Sequence, residues 1–401
     1  MNLSAAAIRC ESDKSLYDRL LEEPSIRRLN EQLARTEKEG GQPSLRRRLL
    51  ATSVRLSESM APELHTMADE CGSKLELGIE LELYVYASAS YNAMCFKPEG
   101  DRLYVMFASS LLENFAGNEL KFVMGHELGH HVYRHHDIPI GLILRGSSRP
   151  NPRLALDLFT WSRYAEISAD RAGAHCAGDL EAVSRALFKL ASGLSGNTIA
   201  FHLDDFLGQV DAMQVEDQLP GQSAPAEDWF STHPFSPLRV KALQLFDRSE
   251  LAAGKMSTAD LEIEVQTLMS LMEPSYLDGR TDTAESMRRL LFAGALLVAQ
   301  ADGEITAAEV AVFEQFFGKG AFNDGLDLAA LDAELDNRIK AVRDFASGPQ
   351  ALQVMRDLCL IARAEGHTSA AERAVLDRIA DGLQVTRGFI CHTMDADPEL
   401  D

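Results

Sequence analysis

The chain has 401 residues, 46% apolar and 25% charged, which describes a folded globular protein too long for one ordinary core; two or three domains are expected. Its formal net charge of -22 repels phosphate backbones and excludes nucleic acid as the expected partner. The six cysteines, at 10, 71, 95, 176, 359 and 391, form no CxxC pair, so neither a thiolate zinc site nor a disulfide framework is indicated.

Residues 12 to 70 show helical spacing interrupted by "EPS" at 23 to 25 and "EGGQPS" at 39 to 44. Glu11 and Asp13 arrive before any apolar run of signal-peptide length, and "LLFAGALLVA" at 290 to 299 is too short to span a bilayer. The expectation is therefore a cytoplasmic protein with no transmembrane segment. The stretch 75 to 87, which opens with "LELGIELELYVY", alternates as a strand does, and "NAMCF" and "RLYVMF" predict two more, joined by a turn at "KPEGD".

The next helix, predicted from about 119 to 136 with Asn118 as its cap, carries "VMGHELGHHVYRHH", five histidines in fourteen positions. His126 and His130 are four apart, so a helix presents both on one face as two nitrogen ligands of one zinc ion. A second helix, predicted over roughly 154 to 176, supplies Glu166 as the third ligand in "SRYAEISADRAG". Asp170, one turn further on, can accept the free N–H of a zinc-bound histidine. Bound zinc makes water acidic near neutrality, and Glu127 is placed to act as general base, passing the proton on to a leaving amine. His233, in "STHPFSPLR", is a candidate oxyanion donor, and Arg239 a candidate to orient a substrate carbonyl or to pair with a carboxylate of the site.

His131, His135 and His136 are read as a solvated face at the helix C-terminus, where the macrodipole favours positive charge. The loops "RGSSRPNPR" at 145 to 153 and "QLPGQSAPAEDW" at 218 to 229 adjoin the catalytic blocks and are read as gates of the cleft.

Beyond residue 250 the chain turns acidic and rich in Ala and Leu, with 26 acidic against 13 basic residues over 251 to 401. "ADGEITAAE" at 301 to 309 is echoed 63 residues later by "AEGHTSAAE", each copy following an apolar helix. Both "TAAE" and "SAAE" read as capping boxes, so Glu309 and Glu372 cap helices. A cation site at Asp302 is disfavoured because the second copy replaces Asp302 by Glu365 and Glu304 by His367.

"HELGH", "SRYAEISAD" followed by Gly173, and "HPFSPLR" stand in the order seen in the zinc peptidases that include HtpX and the CAAX prenyl proteases, and residues 60 to 245 resemble that family. The resemblance implies a gluzincin fold with one catalytic zinc ion. It also implies an edge strand that binds an extended peptide, with Asn92 and Ala93 against the substrate. The best-known members carry transmembrane helices that this chain lacks, so their substrates do not carry over. Residues 260 to 390 resemble the TerB-like domains of tellurite resistance, which are implied to bind metal ions and partner proteins.

The fold class expected is α+β: an N-terminal helical segment at 1–60, a gluzincin-type peptidase domain at 61–250, and an all-α TerB-like domain at 251–401. The function expected is that of a zinc endopeptidase acting on peptide or protein substrates. The alternative is a latent peptidase scaffold whose acidic C-terminal domain binds partners.

Overall fold

The computed structural model describes residues 4–38, 44–145, 152–195, 199–217, 232–272, 276, 282–303, 305–322, 327–346, 348–364 and 368–395. The chain divides into two compact units, one of residues 1–209 and 230–262, the other of residues 210–229 and 263–401. Among the described residues no helix is long and apolar enough to cross a membrane. Both predicted gate loops fall largely outside the described residues.

The first unit begins with helices α1 (Glu11–Glu22) and α2 (Pro24–Lys38), joined across the "EPS" break, with Pro24 starting α2 where its missing N–H costs nothing. A four-stranded sheet follows in spatial order β1 (Val54–Leu56), β2 (Glu80–Tyr86), β4 (Arg102–Ala108) and β3 (Ala93–Cys95). β2 and β4 run parallel, from Glu80 opposite Arg102 to Tyr86 opposite Ala108, while β1 and β3 pair antiparallel on either side. Strand β1 lies inside the stretch read from sequence as helical; three residues are too few to show alternation. The predicted strand at 75 to 87 starts only at Glu80, because helix α3 (Pro62–Lys74) uses the residues before it and caps at Leu75.

The centre of this unit is the crossing of two helices, α4 (Asn118–Val132) and α5 (Pro152–Ala177). Their backbones approach closely because small residues line the contact. A Cβ added at Gly125 would stand 2.7 Å from Cys176 Cβ, and one at Gly129 would stand 2.9 Å from Ala172 Cβ. At Gly173 it would meet the Phe122 carbonyl oxygen at 2.6 Å, a backbone atom that no rotamer change can move. Gly173→Val is expected to destabilise this unit by about 1–3 kcal/mol through overpacking and to weaken metal retention, measured by calorimetry and by metal content after dialysis. Wild-type melting and metal content would show that the crossing tolerates the added bulk.

Helices α6 (Leu180–Ser192) and α7 (Ser236–Arg248) pack on one another and against the crossing pair. Two sequence expectations for α4 are corrected. Its N-cap is Gly117, and Asn118 instead donates from Nδ2 to Asp179 Oδ2 at 3.3 Å. The helix also stops at Val132, four residues short of the prediction, because Arg134 takes a left-handed conformation with φ of 60°.

The second unit is all helical. Helices α8 (Asp282–Ala299) and α9 (Ala307–Phe317) form one half, and α11 (Gly348–Ala362) and α12 (Ala370–Leu383) the other, with α10 (Leu328–Phe345) between them in sequence and α13 (Arg387–Asp395) at the end. The sequence repeat is thus a structural one. Both predicted capping boxes form: Thr306 and Ser369 each accept from the N3 backbone, while Glu309 and Glu372 return the bond. The core is aliphatic, with Leu290, Leu296, Leu335, Ile339, Leu358 and Leu376 essentially closed to solvent. Glu304, Glu365 and His367 lie outside the described residues, and among the described ones Asp302 joins no group of metal-ligating side chains.

Candidate metal centre

His126 and His130 lie one turn apart on α4, and Glu166 reaches them from α5 across the glycine-lined crossing. His126 Nε2 is 3.2 Å from His130 Nε2 and 3.5 Å from Glu166 Oε2, while His130 Nε2 is 3.4 Å from Glu166 Oε1. Among the described residues this is the one group of three metal-ligating side chains whose donor atoms come within 4.8 Å of one another.

The protons of this site can be placed from its outer contacts. His126 Nδ1 lies 2.9 Å from Asp170 Oδ1, a carboxylate that only accepts, so Nδ1 carries the hydrogen and Nε2 a lone pair. His130 Nδ1 lies 2.8 Å from His135 Nδ1, and His135 Nε2 lies 3.1 Å from Asp13 Oδ2. Asp13 Oδ2 only accepts, so His135 Nε2 carries a hydrogen toward it and the neutral ring keeps its lone pair on Nδ1. In the neutral rings His135 Nδ1 then accepts and His130 Nδ1 donates, which leaves His130 Nε2 as the nitrogen that a metal would take.

Two Nε2 atoms and a carboxylate thus converge on one point, and Glu166 Oε2, fully enclosed, makes no hydrogen bond, with Arg239 Nη2 3.5 Å away. Two imidazoles with one carboxylate are a donor set that suits zinc. The electrostatics agree. Burial works to raise the pKa of Glu166 but is outweighed by the fields of His233, His130 and His126, which hold it well below the ordinary carboxylate range. Burial opposes protonation of His130, yet Glu166 lifts its pKa above the usual value, so the pocket draws in positive charge.

Asp170 is in turn held by Arg239 of α7, whose Nε and Nη2 donate to its two oxygens at 2.8 and 2.6 Å. Of the two roles expected for Arg239, the structure shows the carboxylate pairing. Glu127 is buried beside His126, and its side chain lines a cleft of about 370 Å³ that also receives His233 and residues Asn92 to Cys95 of the β3 edge. Asn92 donates from Nδ2 to the Tyr86 hydroxyl at 3.3 Å, and its carbonyl accepts from Ala108 N. His233 is largely exposed, with Nε2 3.6 Å from Glu166 Oε1 and Nδ1 bonded to Thr232 Oγ1 at 2.9 Å.

The solvated-face reading of the three remaining histidines is corrected by His135, which is only 6% exposed, while His131 and His136 are half-buried. Five residues beyond His130 on a continuous helix, His135 would be turned about 140° away from the metal face. The left-handed turn at Arg134 brings it back.

The family model for "Peptidase family M48" matches residues 58–146 and 152–246, and that for "Tellurite resistance protein TerB" matches residues 288–390. This chain carries a metallopeptidase domain of family M48. The TerB match falls on the repeat and on helices of the second unit. Among curated relatives, the chain is similar to the plastoglobule-localized metallopeptidase 48, chloroplastic, of Arabidopsis thaliana, with 28% identity over 228 residues, 54% of this chain and 66% of that protein. It is also similar to the protease HtpX homologs of Burkholderia thailandensis (26% identity, 48% of this chain, 77% of the relative) and Methylibium petroleiphilum (29%, 46% and 75%). No solved structure matches the chain significantly.

Proposed function

We propose that this M48 metalloprotease is a zinc-dependent endopeptidase, with His126, His130 and Glu166 as the metal ligands. The observation that carries the reading is the convergence of two imidazole Nε2 atoms and a buried carboxylate on one point. Zinc bound there would supply Lewis acidity to a substrate carbonyl and to the attacking water. The chain's own groups do the rest. Glu127 accepts the proton of that water and returns it to the leaving amine. Asp170, braced by Arg239, fixes the Nδ1 tautomer of His126. His233, at the mouth of the cleft, donates to the developing oxyanion.

The substrate is an extended peptide. Among the described residues β3 is an edge strand that pairs only with β4, and Asn92 together with β3 residues Ala93 to Cys95 lines the cleft that holds Glu127. A peptide added beside β3 would run past the general base, with Asn92 and Ala93 at the contact. The TerB domain has a core of its own and is assigned a regulatory or targeting role.

The test is metal removal and return. The full chain should bind one zinc per molecule, cleave an unfolded protein such as casein, lose that activity to a chelator, and regain it with stoichiometric zinc. Failure to bind zinc defeats the reading. Stoichiometric binding without cleavage would favour the latent scaffold, with the TerB domain holding the switch.

A further inference from the structure

We propose that Asp13 and His135 are positioning residues of the metal centre, forming a buried chain from helix α1 through His135 to His130 that orients this ligand as Asp170 orients His126. The inference rests on the zinc reading above and adds to it a part of the chain, residues before 58, that the family model does not reach.

The geometry is that of a second relay. His130 Nδ1 lies 2.8 Å from His135 Nδ1, and His135 Nε2 lies 3.1 Å from Asp13 Oδ2, which only accepts, so in the neutral rings the His130 proton points at His135 Nδ1. Asp13 is entirely closed to solvent. Its Oδ2 also accepts from Ser168 Oγ at 2.7 Å and Arg9 Nε at 2.8 Å, and its Oδ1 from Trp161 Nε1 at 3.0 Å and Arg9 Nη2 at 3.2 Å. Burial of this carboxylate is opposed by so many donors that it stays ionised, as an acceptor that keeps the His135 proton on Nε2.

Without that acceptor His135 could rotate or change tautomer and offer its own N–H to His130, which would push the His130 proton to Nε2 and close the ligand position. Two of the donors to Asp13, Trp161 and Ser168, sit on α5, the helix that carries Glu166, so one carboxylate ties together both helices of the site. The turn that delivers His135 is pinned from the same N-terminal segment. Tyr17 donates to Asp137 Oδ2 at 3.0 Å, Asn30 Nδ2 to the Asp137 carbonyl at 2.8 Å, and the Tyr133 hydroxyl to the Ala5 carbonyl at 2.9 Å. The N-terminal helices thus hold a ligand in register, a role beyond filling out the core.

The experiment measures zinc affinity of the full chain by competition with a chromophoric chelator, together with kcat and KM on casein. His135→Phe keeps a ring but removes the acceptor, and should weaken zinc by about 10- to 100-fold and lower kcat with KM little changed. His135→Asn places an oxygen at the position of Nδ1 and should recover most of the affinity. Asp13→Asn should fall between them, and decides the matter by the same measurement if His135→Phe does not fold. Wild-type zinc affinity in both His135→Phe and Asp13→Asn, or equal losses in His135→Phe and His135→Asn, would overturn the proposal. Wild-type protein and His126→Ala are run alongside: zinc bound by the first and lost by the second upholds the zinc reading independently, whereas wild type that binds no zinc defeats that reading and the relay with it.

Discussion

Glu127→Gln should bind zinc as wild type does yet cleave casein with kcat lower by about 10²- to 10⁴-fold, the range over which a positioned general base contributes. The substitution preserves shape and removes only the ability to take a proton. Glu127 is adjacent to His126 in sequence but is absent from the group of converging ligand atoms, so metal affinity should be spared. Its side chain lines the cleft beside the β3 edge, where an added peptide would place its scissile bond. The decisive comparison is kcat against zinc stoichiometry in one preparation. A variant that loses both would make Glu127 a part of the metal's support, and one that loses neither would remove it from the mechanism.

Arg239→Met should lower the stability of the first unit by about 3–5 kcal/mol, the usual cost of stranding a buried charge. Asp170 is fully enclosed, and the guanidinium provides two of its hydrogen bonds, leaving only His126 Nδ1 once removed. Burial pushes the pKa of Asp170 upward, and the Arg239 charge is the foremost reason that it stays below the ordinary value. In a unit of this size the corresponding fall in Tm is about 10 °C by calorimetry. Adding Asp170→Asn to Arg239→Met removes the stranded charge while keeping an acceptor for His126, so the double variant should regain most of the lost stability. Unchanged melting of Arg239→Met would show that the pair contributes little and that Arg239 is free for the substrate.

Glu127 and Asp170 are residues that spacing alone brings forward, and the reason is local. HExxH puts two imidazoles on one helical face because 3.6 residues complete a turn, and ExxxD puts Glu166 and Asp170 on one face of the next helix for the same reason. The capping boxes of the repeat were legible on the same terms, since a Ser or Thr and a Glu three residues apart satisfy one another without outside help. Glycines in the motif helices were visible as letters, while their purpose was not: Gly125, Gly129 and Gly173 matter through atoms of the opposing helix.

What the sequence by itself determined is therefore which side chains of the candidate site share a helical face and where the helices of the repeat begin, because each depends on contacts within a few residues. Only the tertiary structure decided how that site is held. Asp13 meets His135 across 122 residues and Arg239 meets Asp170 across 69, separations at which no periodicity operates. The orientation of His135 turned on a single left-handed residue, Arg134, a conformation that favours glycine and that nothing in an arginine announces. Local rules place a side chain on its own element, and long-range packing determines which other elements that side chain meets.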